Sequence, residues 1–147
     1  LLFFSFWAAG LGLSKVEQSQ ISVSAEVQKS VAIFCEVSSS TFESEVIHWY
    51  RQKPNQALEH LIQVSSTKTP AHANLGGKRN KVEAEKAPQN STSILTVNFI
   101  EKGDVATYYC AGWGDRYYEK VFGAGTKLVV IDKKLDGDFS PKPTIFL

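Results

Sequence analysis

Net charge is nearly missing from this chain: 16 Lys and Arg stand against 15 Asp and Glu, leaving +1 at pH 7. A nucleic-acid groove or an anionic membrane surface calls for a sustained basic excess, and no window supplies one. The densest basic run, KRNKVEAEK at 78–86, is interleaved with Glu83 and Glu85. It is expected to be the solvated face of a strand, and nucleic acid is not expected as a partner.

Long apolar runs are also scarce. LLFFSFWAAGLG, residues 1–12, is uncharged but falls short of the ~20 apolar residues a membrane span needs. Ala8 with Gly10, or Gly10 with Gly12, fits the small-residue requirement before a signal-peptidase cut. Without a basic flank or initiator Met, the segment is expected to be a truncated signal peptide, and it is set aside from the fold.

Histidine is sparse, and its three copies, His48, His60 and His72, stand twelve residues apart. That spacing matches no common zinc pattern, so three solvated imidazoles are expected. No Gly-x-Ser-x-Gly elbow occurs, and no close pair of carboxylates has an evident pocket. An enzyme, a metal centre and a cofactor are not expected.

Only two cysteines are present. A secretory route makes the environment oxidising, and a bridge from Cys35 to Cys110 would then close a loop of about 75 residues, worth roughly 4 kcal/mol in the chain-entropy model. Two free buried thiols would suit a cytosolic chain better. One buried disulfide is therefore expected.

What remains is a series of short strands without an amphipathic helix. SVAIFCEV (30–37) alternates Val31, Ile33, Cys35 and Val37 on one face. VIHWYRQ (46–52) places Ile47 and Trp49 opposite His48, Tyr50 and Gln52. KPNQ is a turn before LEHLIQV (58–64). SILTVNF (93–99) aligns Leu95, Val97 and Phe99, and GTKLVVI (125–131) ends the series. Short strands broken at regular intervals by turns predict an all-β, two-sheet antiparallel sandwich.

The order Cys35, Trp49, Cys110 sharpens this, because in an immunoglobulin-type sandwich the disulfide joins the sheets and a Trp packs against it. Tyr108, two residues before the second cysteine, fits the tyrosine corner. Trp49, Tyr108 and Leu95 are predicted core. Asp104 is expected to cap that corner and to pair with Lys81 at the surface, for at most about 1 kcal/mol.

Three segments carry a resemblance. IHWYRQKP (47–54) and DVATYYCAGW (104–113) look like receptor variable-gene framework. FGAGTKLVV (122–130) looks like a Phe-Gly-x-Gly-Thr joining segment, and DKKLDGDFSPKPTIFL (132–147) like the opening of a gamma constant domain. The sequence thus resembles an antigen-receptor variable domain of the immunoglobulin superfamily, and more narrowly a T-cell receptor gamma chain. The implied organisation is a V-type domain over 13–131, with a joining segment at about 117–131, followed by part of a constant domain at 132–147. Gly123 and Gly125 would supply the φ freedom for a bulge in the last strand. A phosphate loop is excluded there, because a strand and not a helix follows the glycines.

The resemblance implies three ligand-binding loops near 38–45, 65–69 and 111–120. Their candidate contacts are Phe42 and Glu43, then Thr67 and Lys68, then Trp113, Asp115, Arg116, Tyr117 and Tyr118. Aromatic and Arg side chains give large contact area at low entropic cost. It also implies that Tyr50, Gln52, Leu58, Tyr109 and Phe122 face a delta-chain partner, with the glutamine in a cross-chain hydrogen bond. Further implied partners are signalling subunits and a protein or lipid-presenting ligand, at the cell surface. Asn90-Ser91-Thr92 is an N-glycosylation sequon in a polar turn. The alternatives are a V-type adhesion or innate co-receptor module and an immunoglobulin light chain; the joining motif and the 132–147 tail weigh against them.

Overall fold

The structure, a computed structural model, describes residues 15–113, 120–133 and 144–146. Residues 1–12, expected to be a signal peptide, and most of 132–147 lie outside the described residues. Among the described residues, twelve strands form two sheets. One sheet runs β1 (Lys15–Glu17), β3 (Val31–Ser38), β8 (Thr92–Val97), β7 (Lys78–Ala87) and β6 (Ala71–Leu75) in spatial order. The other runs β12 (Thr144–Phe146), β11 (Thr126–Asp132), β9 (Ala106–Trp113), β4 (Ile47–Gln52) and β5 (Glu59–Val64), with β10 (Lys120–Phe122) on β9 and β2 (Ser22–Glu26) on β11.

Period-two alternation decides which side chains lie between the sheets. Ile33, Cys35 and Val37 of β3 are buried while Phe34 and Glu36 face out. Val82 and Ala84 of β7, Ser93, Leu95 and Val97 of β8, and Leu128 and Val130 of β11 complete the same interior. A fully buried aliphatic side chain contributes roughly 1.5–3 kcal/mol, so this layer dominates the stabilisation.

Cys35 and Cys110 are disulfide-bonded, with Cα atoms 6.4 Å apart, and tie β3 of one sheet to β9 of the other. Trp49 is fully buried, and its indole N–H donates to Ser93 Oγ of the opposite sheet at 3.0 Å. Ser93 Oγ donates onward to the Glu85 carbonyl, so the interior's largest polar handle is satisfied. The Tyr108 hydroxyl donates to the Asp104 carbonyl at 2.8 Å, closing the corner before β9.

The expected all-β, two-sheet sandwich is thus present, and its pairings are antiparallel with one exception. The chain crosses between sheets after β1, so β1 pairs antiparallel with β3 while β2 runs parallel to β11, Val23 opposite Leu128. Two smaller expectations are corrected. Phe99 does not continue the Leu95–Val97 row. The strand ends at Val97, and Phe99, at φ +50°, turns out to 45% exposure. Of the two joining-segment glycines, only Gly125 needs a left-handed φ, at +98°. Gly123 is glycine for want of space, since a Cβ there would stand 2.4 Å from Gln18 Oε1.

Candidate functional site

The loops at one end of the sandwich begin where the ladders run out. Between β3 and β4, a short 3-10 turn at Phe42–Ser44 closes with Ser44 N–H donating to the Thr41 carbonyl and Glu45 N–H to the Phe42 carbonyl. Phe42, read from sequence as a ligand contact, is only 4% exposed. Its ring packs into the core and under the Lys86 ammonium, 5.0 Å away, because an apolar ring at a strand-to-loop corner gains more from burial than from water. Glu43 remains exposed, as does Lys68, with Thr67 half-buried. The second loop is shaped by Ser66, whose Oγ accepts from the backbone N–H groups of Lys68 and Thr69.

The third loop stands on a continued ladder. β10 pairs with β9 as Phe122 with Ala111, Val121 with Gly112 and Lys120 with Trp113. Its base is therefore ordered strand rather than irregular chain. Trp113 is half-buried, with the Lys120 ammonium 5.5 Å from its ring centroid. Asp115, Arg116, Tyr117 and Tyr118 lie outside the described residues.

Sequence reading placed 78–86 on a solvated face, yet Lys81 and Lys86 are 3% and 4% exposed. Lys86 reaches the loop-bearing end of the interior and donates to three backbone carbonyls there. Burial pulls its pKa below the ordinary lysine range, against the opposing pull of Glu45 and Glu43. Nearby, both carboxylate oxygens of Glu45 are buried without a hydrogen-bond partner. Lys81 sits at the other end, with its ammonium 2.7 Å from Asp104 Oδ2 and from the Phe99 carbonyl. The Arg51 guanidinium approaches Asp104 Oδ1 at 3.4 Å, and the Glu101 N–H donates to Oδ2. The expected surface pair is thus a buried network, because Arg51, Lys81 and Asp104 are all covered by packing. A lysine in a charged run gave no sign of this.

On the outward face of β4, β9 and β10, Tyr50 and Tyr109 are half-buried and Phe122 is 42% exposed; Leu58, just before β5, is 43% exposed. The Tyr50 and Phe122 ring centroids are 5.4 Å apart. Gln52 is exposed, with its amide donating to the Gln56 carbonyl at 3.1 Å.

Of the three histidines expected to be solvated, His60 and His72 are exposed, while His48 is half-buried. His48 Nδ1 and His60 Nε2 are 3.0 Å apart, brought together by the β4–β5 pairing, and His60 meets the Tyr50 ring edge-on. Burial first, then Lys120 and His60, lowers the His48 pKa to about 4. Only His72 is separate, 3.4 Å from Glu83 at the surface.

One buried residue had no sequence signal. The Gln18 amide donates to the Tyr108 carbonyl and Thr126 Oγ1, and its oxygen accepts from the N–H groups of Cys110 and Gly125. It ties Gly125 and Thr126 to β9, but a lone glutamine ahead of the first alternating strand does not announce that. Asn90 is exposed at the end of a 3-10 turn, Pro88–Asn90, and lines a shallow groove with Phe34 and Thr92. Among the described residues, no three or more His, Cys, Asp or Glu side chains group so as to hold a metal ion. No helix among them is long and apolar enough to cross a membrane.

Residues 18–131 match the immunoglobulin V-set domain. The chain is 63% identical over 110 residues to a human protein described as a probable non-functional T cell receptor gamma variable 10, covering 75% of this chain and 92% of that one. It is 46% identical over 127 residues to a mouse T-cell receptor gamma chain V region, covering 85% and 91%. A second mouse gamma-chain V region is 45% identical over 130 residues, covering 88% and 93%. With its disulfide-tied sheets, buried Trp49 and glycine-led final strand, the chain belongs to the immunoglobulin V-set family and, within it, to the T-cell receptor gamma variable regions.

Proposed function

We propose that this chain is the antigen-recognition half of a gamma-delta receptor, binding ligand through its loop-bearing end and pairing with a delta chain through the outward face of β4, β9 and β10. The observation that carries the reading is that face: Tyr50, opposite Tyr109 and packed against Phe122, leaves apolar surface partly exposed, and Leu58 adds more just before β5. Contiguous apolar surface rimmed by polar groups marks an interaction site rather than scattered exposure. Gln52 has one amide N–H engaged within its own chain, which leaves the second N–H and the carbonyl oxygen for a bond across the interface.

Ligand contact is assigned to Glu43, Thr67, Lys68 and Trp113, and by resemblance to Asp115, Arg116, Tyr117 and Tyr118; Phe42 is withdrawn. The ligand class is a protein or lipid-presenting cell-surface molecule, and signalling falls to associated membrane subunits. Charged substitutions, Leu58→Glu with Phe122→Glu, are expected to abolish co-purification with a delta chain while the secreted domain keeps its disulfide and its melting transition. Undiminished pairing would refute the assignment. Asn90 is proposed to carry an N-linked glycan, since its turn is exposed and the sequon intact. A mass decrease on glycosidase treatment of chain secreted from animal cells, absent in Asn90→Gln, is the expected result.

A further inference from the structure

Phe34 stands apart on the five-stranded sheet. Among the described residues it is the one large apolar side chain within that sheet left substantially exposed. Leu58 and Phe122 belong with the face proposed above for chain pairing, but Phe34 points outward from the other sheet. Ile94, directly opposite on β8, is half-buried, and Glu36 and Thr92 follow on the same outward face. Past Glu17 the chain leaves the side of β3 for the other sheet. A groove of about 280 Å³ lies there, lined by Glu17, Ser19, Phe34, Glu36, Asn90 and Thr92.

The lining suits a sugar: an aromatic face beside carboxylates and hydroxyls that accept hydrogen bonds. Glu17 stands opposite Glu36 in the β1–β3 register. Like charges so placed repel, and neutral donors set between them would ease that. The sequon supplies such donors on a tether. Asn90 ends its 3-10 turn, Ser91 follows at φ +51°, and the Ser91 carbonyl accepts from the Val37 N–H of β3 at 2.8 Å. The Thr92 hydroxyl donates to the Asn90 carbonyl at 3.1 Å. The turn is thus fixed against β3, and a sugar on Asn90 starts from the wall of the groove. Attachment gives it an effective concentration of the order of millimolar, so a weak contact suffices to fill the site.

We propose that this groove seats the first N-acetylglucosamine of an Asn90 glycan. The sugar lays its C–H face and acetyl methyl on the Phe34 ring and turns its N–H and hydroxyl donors toward Glu17 and Glu36. Phe34 is then covered by the chain's own modification, and the rest of the glycan keeps protein partners off this sheet. The proposal rests on the reading that Asn90 is glycosylated, and its test separates the two.

The test uses the whole 147-residue chain, secreted from animal cells blocked in glycan maturation and fed isotope-labelled N-acetylglucosamine. An endoglycosidase then trims the glycan to its first sugar. By NMR, the acetyl methyl and sugar C–H protons are expected upfield of their positions in the unfolded chain, with Overhauser contacts to the Phe34 ring. In urea, the one-sugar chain is expected to unfold with an equilibrium constant about three- to tenfold smaller than that of Asn90→Gln, the scale of one aromatic contact. With Phe34→Ala in both chains, the same comparison should differ by less than about twofold, since the coupling partner is gone. Phe34→Tyr should restore the full difference.

A secreted chain whose mass shows no sugar at Asn90 would refute the modification, and the seat with it. A sugar present without Phe34 contacts, or one that stabilises Phe34→Ala as much as the unsubstituted chain, would refute the seat alone. If Phe34→Ala does not fold, the Overhauser contacts in the unsubstituted one-sugar chain decide: their presence supports the seat and their absence rejects it.

Discussion

At one end of β7, Lys81 donates to the Asp104 carboxylate and the Phe99 carbonyl; at the other, Lys86 donates to three carbonyls and to no carboxylate. Both ammonium groups are buried, but they solve different problems. The Asp104 end centres on one carboxylate, whose oxygens meet Arg51, Lys81 and the Glu101 N–H, while Tyr108 donates to the same residue's carbonyl. Such a network depends on the Asp104 carboxylate. The loop-bearing end puts its cation on groups every residue has. One strand thus carries a buried cation at each end, one held by a carboxylate and the other by main-chain oxygen alone.

The largest expected effect falls at the Asp104 end. Asp104→Ala leaves Lys81 buried without its counter-charge and is expected to cost about 3–5 kcal/mol in urea denaturation, the usual penalty for breaking a buried pair from one side. A loss near the ~1 kcal/mol of a surface pair would erase the contrast. Lys86→Met, measured the same way, is expected to cost less, about 1–3 kcal/mol, because its three orphaned acceptors lie in loops that can turn toward water. Equal losses at both ends would make the two lysines equivalent and end the comparison.

The smallest effect at neutral pH lies on the outward face of the other sheet, at His48 of β4. The folded chain holds His48 neutral down to about pH 4, whereas the unfolded chain takes up the proton near 6.5. The unfolded state then binds more protons within that window, so stability is complete above about pH 6.5 and declines as pH falls toward 4. His48→Gln should flatten this part of the stability curve, and an NMR titration should find no His48 protonation between about pH 7 and 5.

The fold was largely written in alternation and spacing. Cys35, Trp49 and Cys110 sit at positions where the period-two pattern already demanded burial, so strand, core and disulfide agreed before any coordinate. What alternation cannot carry is the fate of polar residues in a run of charge. In KRNKVEAEK the pattern separates faces, but it does not show that the chain folds two loops over Lys86 and tucks Asp104 under Lys81. Gln18 was illegible for the same reason: its partners are 90 or more residues away, and no local signal anticipates them. Loop membership does not imply exposure at Phe42, whose ring packs into the core beneath the Lys86 ammonium. His48 and His60 are distant in sequence and become neighbours only through the β4–β5 register.

The crossing of the first strand between the two sheets has a consequence for solubility. β11 pairs with β9 on one side, and on the other its main-chain donors and acceptors would face water if β2 did not run beside it. A bare, flat border of that kind is a template for a strand from another molecule. By laying Ser22–Glu26 along β11, the chain covers a border that would otherwise stand open to a strand from a second copy.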